Sequence, residues 1–229
     1  MAATLREDGL TASAMVQRGS LASCIVSAAD KETSTLIAMA TRRRSGIPRR
    51  VLGSVTDKVL RSNNNPLLII RPWEQEVPTL AVKLNTVIVP LDGSHLAEQV
   101  LPHVVALSKA LALTVILVRV TPSDVYTLPS RRYENREQDA RAIEYLHGIK
   151  QNLYQQGVVC VEDLLLRGPP ADGILDTAGK SPDSLIALAT HGRPWVGRWM
   201  LGGVTDYIVR HSGNPVLVIR AEDRVAQGV

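Results

Sequence analysis

The stretch ALATHGRPWVGRWMLGGVTDYIV (187–209) decides how this chain folds. An apolar run ends in His191-Gly192-Arg193, and ten residues later Gly202-Gly203 opens a segment with helical spacing. A buried strand that runs through glycine into a helix is the signature of a βαβ crossover. A worn copy, AMATRRRSGIPRRVLGSVTDKVL (38–60), stands 149 residues earlier. At that offset residues 16–71 lie over 165–220 without a gap, with roughly two positions in five identical. Self-similarity over that length marks a duplicated unit.

The second copy is the longer one. NTVIVPLDGSH (85–95), TVILVRV (114–120), VVCVEDLLL (158–166), SLIALAT (184–190) and PVLVIR (215–220) read as strands. Helical patterns fill 96–111, 131–156, 169–180 and 200–212, with Pro102 expected to bend the first of them. Strands alternating with long helices predict a parallel sheet with helices on both faces. The first copy keeps only the ending: helix 19–31, strand 35–41, helix 51–62 and strand 66–71. Residues 1–17 supply at most a short strand near SAMVQ (13–17), and PWEQEVPTLAVKL (72–84) reads as a linker. The expected organisation is a truncated unit at 1–71, a linker at 72–84, a complete domain at 85–222 and a tail at 223–229.

Composition narrows the function. Among 229 residues there is no Phe, so the core is built from Val, Ile, Leu and Ala, as parallel sheets are. The net charge is +4, and much of the excess lies in TRRRSGIPRR (41–50). A short basic loop without stacking aromatics fits a small anion or a solvated patch, not a nucleic-acid surface. No apolar run reaches the ~18 residues of a membrane span, and the start has no signal-peptide core. Cys24 and Cys160 match no metal-ligand spacing and no disulfide framework, so a cytoplasmic setting is expected. GILDTAGKS (173–181) imitates a phosphate-binding loop but has the wrong spacing, and it reads as the end of a helix capped by Gly179.

These residues resemble the universal stress protein family. VIVPLDGS matches the family's opening strand and turn. ATHGRPWVGRWMLGGVTDYIVRHSGNPVLVIR matches its Gly-x2-Gly-x9-Gly-Ser/Thr pattern and closing strand. The resemblance covers 85–220 and, as a fragment, about 16–71. It implies a five-stranded parallel sheet of order 3-2-1-4-5, nucleotide binding in one subclass, and dimers through the closing strand. The match departs at two stations: Ala189 stands at the first glycine and Gly203 at the Ser/Thr, while Gly192 and Gly202 are kept.

In a sheet of that order, ligands bind past the carboxyl ends of the strands where the order reverses. The reversal falls between strands 1 and 4, which brings Asp92 toward His191 and Gly192. Gly192 lets main chain approach an anion. Gly202, Gly203, Val204 and Thr205 begin a helix whose free amides favour phosphate. Arg193 and Arg198 offer bidentate charge. Asp92 is implied by the resemblance to accept from adenine or ribose, with Val120 flanking the base and Ala189 beside it. The expected ligand is ATP, with Mg as a possible companion, in a regulatory protein that is not an enzyme. Plainer readings stand beside these. They are Asp92 as a helix cap, the arginines as solvated charges, His191 as a structural hydrogen-bonder, and Gly202-Gly203 as a helix-entry turn only. Two other functions stay open: a protein-interaction module without nucleotide, and an adenylyl-transfer or flavin-binding protein.

The first copy has Arg43 where the second has Gly192, and it lacks the opening strand with its aspartate. It is expected to bind no nucleotide by itself. Its closing strand is expected to pair with 215–220, and the bared edge of 35–41 to promote homo-oligomers. The protein partner is not legible.

Overall fold

A computed structural model describes residues 2–41, 52–70, 83–123, 132–191, 193–195, 198–200 and 202–222. The first copy contributes α1 (Ala2–Glu7), α2 (Leu21–Ala29), β1 (Ile37–Ala40), α3 (Ser54–Ser62) and β2 (Leu67–Ile70). The second contributes β3 (Thr86–Pro90), α4 (His95–Glu98), α5 (Leu101–Leu111), β4 (Thr114–Thr121), α6 (Arg132–Gln155) and β5 (Val161–Arg167). It continues with α7 (Pro170–Gly179), β6 (Ser184–His191), β7 (Arg193–Trp195), β8 (Arg198–Met200), α8 (Gly203–His211) and β9 (Val216–Ala221). The basic loop 42–50, most of the linker and the tail from 223 lie outside the described residues.

One seven-stranded sheet has the order β1-β2-β9-β6-β3-β4-β5. Its second-copy part, read from β5 to β9, is the expected 3-2-1-4-5. Every pairing is parallel except β2 with β9, where Leu67 faces Val218 and Ile69 faces Val216 across an antiparallel ladder. The two closing strands therefore pair as the sequence led us to expect, and the first copy becomes an extension of the second copy's sheet. No helix among the described residues is long and apolar enough to cross a membrane.

Aliphatic side chains on the two faces make two cores. Leu117, Leu146, Leu153, Leu185 and Leu217 gather under α5 and α6 on one face. On the other, Leu52, Val59, Leu67 and Ile69 of the first copy merge with Ile88, Ile186 and Ile208 of the second beneath α2, α3, α7 and α8. Each such side chain, fully buried, stabilises by ~1.5–3 kcal/mol. The fragment thus shares a core it could not build alone.

Four local readings change. Helix 96–111 is broken rather than bent: α4 ends at Glu98 and Pro102 sits in the first turn of α5, where its missing N–H costs nothing. Residues 10–18 form no strand, and no side chain in α1 is buried. Between β6 and α8 stand two short strands that the sequence reading did not include, β7 and β8, paired antiparallel. Gly179 is the last residue of α7, and Lys180, in right-handed helical geometry, is its cap.

An ion cluster drawn from equivalent positions of the two copies reinforces the joint. Asp57 and Arg61 on α3 are the 149-residue equivalents of Asp206 and Arg210 on α8. Asp57 accepts from Arg61 Nε at 2.9 Å and from Arg210 Nη2 at 3.0 Å, while Arg210 Nε donates to Asp206 at 2.8 Å. Burial alone would raise the Asp57 carboxyl, but its two arginines outweigh that and hold it below the ordinary 3.8. A carboxylate depressed on folding contributes fully above its unfolded value, and that contribution drains as pH falls through its folded value. Asp57→Ala is expected to cost ~1–2 kcal/mol, a fall of about 2–8 °C in Tm for a chain of this size. The gap between wild type and variant should close as pH drops below 3.8, which thermal melts over an acid series will show.

Candidate functional site

β3 and β6 lie side by side and parallel, with Ile88 opposite Ile186. β4 flanks β3 on its other side, with Pro90 opposite Val118, and Leu91 N–H extends the ladder to Val118 C=O at 2.8 Å. Continuing those registers places Asp92 level with Thr190 and with Val120. A helix that returns the chain to a parallel neighbour starts at the carboxyl edge of the sheet, so α8 begins at the edge where β6 ends. Asp92, Val120, Ala189, Thr190 and the Gly202–Thr205 segment therefore share one edge, at the point where strand order reverses.

Asp92 is exposed and organises its own turn. Its Oδ1 accepts from Ser94 N–H at 2.9 Å, and Ser94, not Asp92, caps α4 by accepting from Ala97 N–H at 3.1 Å. The plain reading of Asp92 as a helix cap therefore gives way to Ser94. Gln99, in the break between α4 and α5, ties this edge to the end of β9: its side chain donates to Glu222 C=O at 2.8 Å and accepts from Glu222 N–H at 2.9 Å.

At the start of α8 the first helical bond runs from Asp206 N–H to Gly202 C=O at 2.9 Å. The amides of Gly203, Val204 and Thr205 precede it, and no described residue accepts from them. Gly202 has φ −57°, which any residue adopts, and a side chain at Gly202 or Gly203 would meet nothing within 4 Å. Among the described residues, neither backbone strain nor packing explains why both are glycine. Thr205 is buried in the first turn. Ala189 and Thr190 are buried in β6, with Thr190 Oγ1 donating to Ile219 C=O at 3.4 Å.

Val120 is half-buried and turned toward α7. The adjacent Gly173, which gave the false phosphate-loop pattern, is there for packing. A Cβ on it would lie 3.2 Å from Leu166 and 3.6 Å from Val120. Gly192 lies outside the described residues, as do the side chains of His191, Arg193 and Arg198. Their backbones place His191 opposite Ala221 and Arg193 opposite Met200.

The structure adds a group that sequence reading passed over. Arg119 lies against the Asp92-Gly93 turn, so close that a Cβ on Gly93 would be 2.5 Å from its Nη1. Its guanidinium carbon is 5.1 Å from the centre of the Tyr145 ring, within cation–π range. Tyr145 in turn donates to Glu98 Oε1 at 2.9 Å. Burial raises the Tyr145 hydroxyl pKa above its ordinary value, and Glu98 raises it further, so it remains a donor. The available clue was an arginine in an otherwise aliphatic strand, TVILVRV. Among the described residues no cluster of His, Cys, Asp and Glu could hold a metal ion.

The universal stress protein family model matches residues 1–71 and 83–220. The chain belongs to that family. Universal stress protein Sll1388 of Synechocystis is 28% identical over 149 residues, covering 58% of this chain and 96% of its own length. Universal stress protein MJ0577 of Methanocaldococcus jannaschii is 26% identical over 162 residues, covering 63% of this chain and 99% of its own. A universal stress protein structure from Archaeoglobus fulgidus superposes over 96% of this chain and 74% of that one, with TM-score 0.71 and 21% identity. This last likeness confirms the doubly wound fold.

Gly93 has φ +85°, where a Cβ costs of the order of 1 kcal/mol. Gly93→Ala must also displace Arg119. The substitution is expected to destabilise by about 1–3 kcal/mol, and by less in an Arg119→Ala background. Denaturant melts of the four proteins in that cycle will show the non-additivity.

Proposed function

We propose that the chain binds an adenine nucleotide, ATP, at the sheet edge where β3 and β6 end, and that it acts as a cytoplasmic regulatory protein of the stress response without turning over as an enzyme. One observation carries this reading. Three amides at the head of α8 have no acceptor among the described residues, behind two glycines that neither φ nor packing requires, on the edge that also carries Asp92. Bare amides at a helix start are a phosphate site in chemical terms, and the open space leaves room for one. The donor set therefore fits a nucleotide.

In this reading Gly203, Val204 and Thr205 hold the phosphates through their amides, and Gly202 keeps the approach clear. Asp92 accepts from the base or the ribose, and Val120 flanks the base. Ala189, His191, Gly192 and Arg193 line the β6 side. Mg, where present, rides on the phosphates. Arg119 fixes the turn that presents Asp92. Nothing in this set calls for a nucleophile or a general base, which supports a ligand that shifts conformation or partner choice. The expected reducing setting agrees with Cys24 and Cys160 both being free thiols.

Gly202→Glu and Gly203→Glu test the site. Their side chains would enter open space, and an acid in a first turn suits the helix dipole, so fold and Tm should hold. Glutamate against phosphate should weaken ATP by at least about tenfold, or ~1.4 kcal/mol, read by calorimetry and by loss of the ATP-induced rise in Tm. Mass spectrometry of the purified protein identifies the ligand. Adenine nucleotide supports the proposal, flavin would move the function to a flavoprotein, and no ligand with no ATP response would leave a protein-interaction module.

A further inference from the structure

Tyr145 is out of character with its surroundings. The chain has no Phe, and the fully buried side chains of α6 are Ala142, Leu146 and Leu153. Tyr145 packs half-buried against the same aliphatic core. A leucine would fill that place without burying a hydroxyl. The tyrosine instead has a partner for each of its parts. Its ring faces the Arg119 guanidinium, 5.1 Å from centre to Cζ, and its hydroxyl donates to Glu98 Oε1 at 2.9 Å.

Those two partners stand at the two ends of one loop. Arg119 lies against Gly93, where a Cβ would be 2.5 Å from Nη1 and 3.1 Å from both Cζ and Nη2. Gly93 directly follows Asp92, and Glu98 is the last residue of α4. Arg119 makes no hydrogen bond or ion pair with a described residue, so the Tyr145 ring and the turn are what hold its plane. The 92–98 segment therefore hangs from α6 at both ends through one side chain. The helix is a firm anchor. On either side of Tyr145, Asp139 accepts from Thr121 Oγ1 of β4 at 2.9 Å, and Lys150 bridges Asp163 of β5 at 2.6 Å.

We propose that Tyr145 is a positioning residue for nucleotide binding: acting from α6 through Arg119 and Glu98, it fixes the loop that presents Asp92 to the base and ribose, without touching the ligand. This rests on the nucleotide reading above and adds α6 to the machinery of that site. A group that orders one wall of a site in advance raises affinity by removing the ordering that binding would otherwise supply. Its effect falls on the nucleoside end. The amides at the head of α8 belong to a different strand connection and do not depend on it.

NMR titrations of the full chain with ATP and with adenosine test it. Tyr145→Phe keeps the ring beneath Arg119 and cuts the Glu98 bond; Tyr145→Leu removes both. Each should raise the dissociation constants for ATP and adenosine by the same factor, Tyr145→Leu by more. The factor should be at least about fivefold, the lower end of ordinary coupling between a binding site and a group outside it. In an Asp92→Asn background Tyr145→Phe should cost nothing further, a result that lost stability would not give. Before nucleotide is added, the amide resonances of Gly93 and Ser94 should already be displaced in both variants, while those of Gly203, Val204 and Thr205 should not. Tyr145→Phe keeps the test readable if Tyr145→Leu does not fold. Wild-type affinity in Tyr145→Phe, or an equal further loss in the Asp92→Asn background, overturns the positioning role and leaves nucleotide binding standing. A wild type that binds neither ATP nor adenosine overturns the nucleotide reading and this role with it.

Discussion

The parallel ladder between β3 and β6 is the constraint on which the molecule depends. It sets the point of reversal in the strand order, so it creates the edge where Asp92 and the head of α8 meet. The first copy has equivalents of β6 and β9 but no described equivalent of β3. The start of α3 therefore faces no aspartate turn among the described residues.

A fragment of this kind borrows its stability. β2 reaches it through main-chain pairing to β9, and α2 and α3 through a core continuous with that of α7 and α8. The Asp57–Arg210 contact is the polar side of the same joint. The repeat places like residues at equivalent positions, and the antiparallel joint brings Asp57 of one repeat against Arg210 of the other. Duplication therefore supplies complementary charge without any new motif.

Strand order and helix positions were legible because each strand is an aliphatic run between turn residues and the repeat states the ending twice. The β2–β9 pairing was legible from the same repetition. Three features were not. Ser94 took the capping role offered to Asp92, because hydroxyl and carboxylate compete for the same amides over a span of two residues. The Arg119–Tyr145–Glu98 chain joins three segments that only tertiary contact brings together. Pro102 gave notice of a break in the helix but not of its place, since proline is best tolerated just after a helix begins. Of the site, the sequence showed the glycines and the acid; that the glycines answer to no packing demand is visible only in three dimensions.

The repeat also provides an internal reference for the central claim. Gly53 to Asp57 matches Gly202 to Asp206 in place and nearly in sequence, but stands opposite no aspartate turn among the described residues. Backbone amide shifts recorded while ATP is titrated into labelled protein compare the two directly. The account predicts that the amides of Gly203, Val204, Thr205 and Asp92 move together along one binding curve, while those of Ser54, Val55 and Thr56 stay still. Movement confined to the first-copy amides, or none at saturating nucleotide, would contradict it.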